Sequence, residues 1–426
     1  MKRSAATFRV HDIKNFKIKM LNWCTRFNIF IFLDSNGYRD PYSKHEWILG
    51  AGAVAALEPS AQHLDALGHF TEENDDWLFG HLGYDLKNQA EILSSRHPDK
   101  VGFPDLFFFR PAIVIRFDGQ RLEISSASEP PAAIHAAIET TTAAAPTSGP
   151  PLRVQQRIGK NTYLDIIRRL QEHIRLGDCY EINFCQEFFA EEAVVDPLSL
   201  YLRLSEISPN PFAGFYRLHD RYLLCASPER FLQKTGSRII SQPMKGTIRR
   251  NLADAVADEQ LKAELQQSEK ERSENVMVVD LVRNDLSRIC TEASVEVSDL
   301  FGIYTFPQVH QMVSTVTGQL RPGVGFADII RATFPMGSMT GAPKIRVMEL
   351  IEQYEHSRRG IYSGAIGYID PGNDFDFNVV IRSIMYNRTD KYLSYQAGGG
   401  ITFYSNPEQE YEECLLKATA IKKVLE

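Results

Sequence analysis

The sequence predicts an α+β fold, and two kinds of pattern in its 426 residues carry that prediction. Residues 179–188 (CYEINFCQEF) alternate along the chain as a strand would, and 221–226 (RYLLCA) and 238–242 read as further strands. Residues 163–175 are apolar at Tyr163, Ile166, Ile167, Leu170 and Ile174, which is helical spacing, and 268–289 predicts a long helix. A chain of this length that is 43% hydrophobic can bury one large core or two to three ordinary ones.

Composition excludes several classes of function. The net charge of −7 leaves no basic footprint for nucleic acid, so no nucleic-acid partner is expected. No apolar run approaches the roughly 18 residues of a membrane span, so no membrane association is expected. The densest run, 27–33 (FNIFIFL), leads into Asp34-Ser35-Asn36-Gly37 and reads as a strand entering a turn, without the cleavage site of a signal peptide. Six scattered cysteines without CxxC spacing argue for reduced thiols in a cytoplasm rather than disulfides or zinc.

Taken in order, residues 1–124 read as an α+β region with strands at 27–33, 47–48, 77–79, 106–109 and, after Pro111, 113–117. Residues 125–151 (SSASEPPAAIHAAIETTTAAAPTSGPP) are of low complexity and read as a linker with at most a short alanine-rich helix. Residues 152–426 then form the second, larger unit. Gly177 stands where a C-cap glycine ends the helix before it.

The strand at 238–242 runs into Pro243-Met244-Lys245-Gly246-Thr247. A lysine followed by glycine sits where backbone can approach a ligand closely. Desolvation would lower its pKa and make the neutral amine a nucleophile. Glu229, after the 221–226 strand, is expected at the end of a neighbouring antiparallel strand, within reach of Lys245.

Two helices carry paired acids. Glu271 and Glu274 are three apart and fall on the stripe of Val278, Val282 and Ile289, the inward face. Glu410 and Glu413 repeat the spacing on a C-terminal helix, with Lys417 one turn on and Cys414, Ile421 and Val424 on the same stripe. Inward carboxylates repel unless a cation sits beside them, and two such pairs suit a hard divalent ion, most simply Mg²⁺.

Two glycine-rich segments lie between these helices. Residues 334–344 (FPMGSMTGAPK) open a helix with Pro343 near its first position, and such a start offers N–H groups to a carboxylate. The run Gly398-Gly399-Gly400 costs too much backbone entropy for a plain strand and is expected to meet ligand. Arg382, inside the apolar 378–385 strand, needs an anionic partner, either a structural carboxylate or that of a ligand.

Together these segments resemble the chorismate-utilising enzymes: anthranilate synthase component I, aminodeoxychorismate synthase component I, and the isochorismate and salicylate synthases. The matching stretches include GDCYEIN (177–183), SPERF (227–231), PMKGT (243–247), KERSENVMVVDLVRNDL (270–286), FPMGSMTGAPKIRVMELI (334–351), RGIYSGAIGY (359–368), FNVVIRS (377–383) and GGGITFYSNPEQEYEECLLKA (398–418). The N-terminal region joins in chiefly through GHLGYDL (80–86).

The resemblance implies two antiparallel β-sheets packed face to face with helices outside, and a site for chorismate and Mg²⁺ between them. It implies metal binding by Glu274 and Glu413, with Glu271 and Glu410 acting through water. Lys417 would meet the ring carboxylate, and Arg382, Tyr362 and the Gly398–Gly400 backbone the enolpyruvyl carboxylate. Thr247 would also face substrate, and Glu229 would protonate the departing 4-hydroxyl.

Glu181 stands where the water-activating branches place a lysine base, and Lys245 stands where anthranilate synthases have alanine. That combination resembles the aminodeoxychorismate branch: Lys245 attacks C2, and ammonia then enters at C4, in 4-aminobenzoate and folate synthesis. Anthranilate synthesis and a non-catalytic chorismate binder are the alternatives. No glutaminase segment is visible, so ammonia is expected from a separate glutamine amidotransferase subunit or from solution. Three positions depart from the family pattern: Glu181 for glutamine, Met244 for isoleucine, and Gln311 for histidine, with His310 one place earlier.

Overall fold

The computed structural model describes residues 3–57, 62–143, 145–147, 149–306 and 309–426. Every strand pairing is antiparallel, and the strands form two layers that share a corner. The first layer runs from Ser4–Phe8 through Leu122–Ser126, the second half of Leu106–Phe117, Trp47–Ala56, Ile29–Asp34, Phe212–Leu218, Arg221–Ser227, Ser383–Asn387 and Tyr392–Ile401 to Glu181–Ala190. The second runs from the first half of Leu106–Phe117 through Leu78–Leu82, Ala365–Ile369, Phe375–Val379, Arg230–Thr235 and Arg238–Gln242 to Val309–Gln319, which also pairs with Met244–Arg249 and Glu296–Thr305.

Strand alternation explains the two cores. Phe30, Phe32, Phe184, Phe215, Leu224 and Ile384 point from the first layer towards helices Ile13–Cys24, Pro131–Thr140, Lys160–Arg175, Pro197–Ile207 and Pro407–Leu425. Their neighbours Ile31, Cys185, Tyr216, Leu223 and Met385 point the other way and join Phe79, Phe231, Ile366 and Phe377 of the second layer. His81 of the second layer meets Tyr216 of the first at 3.0 Å. The layers therefore pack face to face with helices outside, as the resemblance implied.

Two expectations are corrected. Residues 106–109 and 113–117 are one strand, Leu106–Phe117. Pro111 lies opposite Ala53, where the partner strand shifts register, so its missing N–H falls at an irregularity. The glycine run is also regular strand, within Tyr392–Ile401 and paired residue for residue with Glu181–Ala190. Tertiary packing overrides the entropic cost: a Cβ on Gly398 would collide with the carbonyl of Phe184.

Strands from before residue 124 share both layers with strands from after residue 152: Ile29–Asp34 pairs with Phe212–Leu218, and Leu78–Leu82 with Ala365–Ile369. Within the low-complexity 125–151 stretch, whose residues 144 and 148 lie outside the described residues, helix Pro131–Thr140 buries Ile134 and Ile138. No helix among the described residues is long and apolar enough to cross a membrane. All six cysteines are buried and unpaired.

Candidate active site

Lys245 sits on Met244–Arg249, a strand of its own rather than the end of Arg238–Gln242. Its amine is in direct contact with Glu181 Oε1, from the strand that borders the glycine run, and lies 3.8 Å from Glu274 Oε2. Burial opposes the charge of Lys245, but the two carboxylates outweigh it, and the amine titrates above its ordinary value. This reverses the expectation of a neutral lysine: desolvation is present, but two acids accompany it. The lysine rests charged and must lose a proton before it can act as a nucleophile.

Glu229 is buried within the electrostatic reach of Lys245. Arg230 beside it pairs with Gln242 across the sheet, so Glu229 lies level with the end of Arg238–Gln242. Lys245 stands beyond that end on the next strand, which pairs with Val309–Gln319, so the two do not end neighbouring paired strands as expected. Burial pushes the Glu229 carboxyl up to about 7, with the Ser338 hydroxyl at 2.5 Å and the Lys245 charge pulling the other way. It can therefore hold a proton near neutrality and release it, as a general acid must.

The two acid pairs lie in or near the first turns of their helices. Ser268 caps Glu269–Ser287 and Asn406 caps Pro407–Leu425, with Pro407 at the first position and acids where the helix dipole favours them. Glu274 and Glu410 are buried, while Glu271 and Glu413 are half-buried. Burial lifts Glu274 to about 7 and also raises Glu271 and Glu410, with the charge of Glu413 adding to both of the latter. Glu413 is instead lowered, because Lys417 lies 2.7 Å away. Lys270, 3.9 Å from Glu274, is a further cation at the same place.

Among the described residues no group of three or more acids, histidines or cysteines is gathered for a metal ion; the four glutamates are interleaved with Lys245, Lys270 and Lys417. The donor set is nonetheless all hard oxygen, and Glu274 Oε1 is buried with no hydrogen-bond partner. An orphaned carboxylate oxygen among mutually repelling acids fits a hard divalent cation.

Arg382 is not inside a strand. The chain leaves the second layer at Val379 and enters the first at Ser383, and Arg382 occupies that crossing with φ of 53°, which turns the backbone out of the pleat. Its Nη1 donates to the carbonyl of Lys417 at 3.3 Å, and no carboxylate of the described residues pairs with it. Tyr362 is buried with its hydroxyl 3.5 Å from Cys185 Sγ. Lys417 donates to the Gly398 carbonyl at 2.9 Å. A Cβ on Gly399 would stand 3.3 Å from Lys417 Nζ and 3.4 Å from Glu410 Oε2, and one on Gly400 would strike Lys245 and Glu181. The glycines thus bring bare backbone against charged groups.

Three contacts lay beyond sequence reasoning: Glu181 as the ion partner of Lys245, Ser338 on Glu229, and Gln311 on the Lys245 turn. Gln311 and Glu181 were visible only as departures from a pattern. His310 points to the opposite face of its strand, 3.1 Å from Asp258 and 3.0 Å from Thr305.

The sequence pattern of the chorismate binding enzymes matches residues 32–423. Aminodeoxychorismate synthase component 1 of Salmonella typhimurium is 36% identical over 374 residues, covering 85% of this chain and 81% of the relative. Anthranilate synthase component 1 of Thermus thermophilus is 35% identical over 360 residues, covering 82% and 77%. Among solved structures, anthranilate synthase component I from Streptococcus pneumoniae is similar with a TM-score of 0.72 at 25% identity, covering 99% of this chain and 92% of that one. With a match across nearly the whole chain and relatives above a third identical over most of their length, the chain belongs to the chorismate binding enzymes.

Proposed function

We propose that the chain converts chorismate and ammonia to 4-amino-4-deoxychorismate, the step that leads to 4-aminobenzoate and folate. The observation that carries this reading is Lys245, an amine on a strand bulge between Glu181, Glu274 and the buried acid Glu229. The names of relatives in bacteria and plants support the same reaction. Their designation as a component 1 supports a partner component, a glutamine amidotransferase that supplies the ammonia. Six unpaired cysteines support a reducing compartment, the cytoplasm.

Chorismate binds with its carboxylates towards Lys417 and towards Arg382, Tyr362 and the Gly398–Gly400 backbone, while Thr247 borders the ring. Glu181, in contact with the amine, is placed to take the surplus proton of Lys245. The amine then attacks C2, the double bonds shift, and the 4-hydroxyl leaves as water with the proton of Glu229. Ammonia adds at C4, the double bonds shift back, and the bond from C2 to Lys245 breaks, returning the amine. Glu274 and Glu413 would hold Mg²⁺, with Glu271 and Glu410 behind them. The ion, when bound, neutralises the ring carboxylate.

The test supplies chorismate, Mg²⁺ and ammonium to the purified protein and to Lys245→Ala, with products resolved by chromatography and mass. Aminodeoxychorismate from the unsubstituted protein, lost in the variant, is the expected result. Anthranilate as the product would overturn the reading and make Lys245 a bystander.

A further inference from the structure

The geometry points to Gln311 as a positioning residue for Lys245, acting through the bulge that carries the lysine. The inference rests on the reading of Lys245 as the nucleophile and adds the device that aims it. Strand Met244–Arg249 is in register with Val309–Gln319 at Arg249↔Val309, Ile248↔His310 and Thr247↔Gln311, and next at Met244↔Val313. Two residues, Lys245 and Gly246, therefore stand opposite Met312 alone, which is a β-bulge. Gly246 has φ of +83°, a left-handed conformation that an L side chain resists. A bulge re-aims the side chain it carries, here towards Glu181 and Glu274.

A bulge also interrupts the ladder, and its backbone groups need other partners. Gln311 supplies them from across the strand pair. Its Nε2 donates to the carbonyl of Gly246 at 2.8 Å, and its Oε1 accepts from the hydroxyl of Thr247 at 2.7 Å. Both ends of one buried amide are thus spent on the two residues that follow Lys245. Rotation of that peptide would swing an amine at the end of four methylenes, so a small backbone change becomes a large displacement at Nζ. There is a second effect. With its hydrogen committed to Gln311, Thr247 Oγ1 faces a ligand only as an acceptor, which suits a hydroxyl donor on the ring.

Neighbouring groups do not duplicate this role. His310 is turned away to Asp258 and Thr305. The nearest groups to the missing Cβ of Gly246 are the side chains of Glu271 and Leu265, which pack against the bulge.

The test measures kcat and KM for chorismate at saturating ammonium, together with thermal midpoints, in Gln311→Leu, Gln311→Glu and Gln311→His. Leucine fills the space with neither donor nor acceptor. Its kcat is expected to fall about 10- to 100-fold, as for a misaimed reacting group, with KM within about three-fold. Glutamate keeps the acceptor for Thr247, loses the donor to Gly246, and is expected to lose kcat as well. Histidine in its neutral form donates from one nitrogen and accepts at the other, and is expected to recover most of the kcat that leucine loses. Unchanged kcat in either the leucine or the glutamate variant overturns the assignment. So does a kcat loss that is equal in the leucine and histidine variants and follows their thermal midpoints, since that is the mark of a merely structural residue. If the unsubstituted protein makes no aminodeoxychorismate, the reading of Lys245 fails, and the assignment of Gln311 falls with it.

Discussion

Ser338 Oγ lies 2.5 Å from Glu229 Oε1, and both side chains are buried. The hydroxyl stabilises the charged carboxylate and so restrains a pKa that burial has pushed up to about 7. A general acid works in its protonated form, so kcat/KM for chorismate should decline as pH rises through about 7. Ser338→Ala removes the restraint, and the declining limb should move to higher pH. Glu229→Gln, which cannot donate the proton, should lose about 10²–10⁴ in kcat and lose the limb altogether. A limb unmoved by both substitutions would show that Glu229 is not the acid.

Lys245 and Glu181 are coupled, and their coupling is measurable without substrate. Lys245→Ala leaves Glu181 as a buried charge without its partner, a change that costs about 3–5 kcal/mol in comparable pairs. Denaturant unfolding of Lys245→Ala should register that loss. Adding Glu181→Gln to it should restore much of the stability but none of the turnover, a separation that distinguishes the packing role of the pair from its chemistry.

The acidic cluster predicts how stability depends on pH and metal. Glu274 and Glu229 have carboxyls raised to about 7 in the folded chain, above their unfolded value near 4.5. The folded state therefore holds more protons between those values, and stability should fall as pH rises through that window. Mg²⁺ binds the deprotonated form, so it should raise the thermal midpoint more at pH 8 than at pH 5. Glu274→Gln should raise the midpoint at pH 8 without metal and abolish most of the Mg²⁺ response. An equal response to Mg²⁺ in the variant would remove Glu274 from the metal site.

The three consecutive glycines should respond unequally to alanine. At Gly398 a methyl group would overlap the Phe184 carbonyl, which is backbone and cannot yield, so Gly398→Ala should cost about 1–3 kcal/mol or more. At Gly399 the nearest atoms are 3.3–3.8 Å away at the ends of flexible side chains, and the protein should keep its stability. At Gly400 the methyl would strike Lys245 and Glu181, so folding should survive better than turnover. Unfolding midpoints and kcat for the three variants check the order.

The acid pairs were legible because a helix imposes its period on the sequence: Glu271 with Glu274 and Glu410 with Glu413 share a face whatever surrounds them. The contact of Glu181 with Lys245 was not, because 64 residues separate them and their strands belong to different layers, so only the packing of the two layers joins them. Reading the pKa of Lys245 from burial alone gave the wrong direction for the same reason. Arg382 lies in a stretch as apolar as any strand, and nothing in its neighbours marks the point where the chain changes layers. The composition of the glycine run marks a close approach but not its conformation, since the backbone that requires glycine there belongs to a strand more than 200 residues earlier.

The pairing of Leu78–Leu82 with Ala365–Ile369 also governs how the chain is made. During synthesis the early strand emerges with one edge unsatisfied, and its partner follows almost 300 residues later. At roughly 5–20 residues per second that interval lasts many seconds, during which an apolar edge is open to any passing strand. Yield in a heterologous host should therefore depend on chaperone capacity and growth temperature more than on the stability of the finished protein.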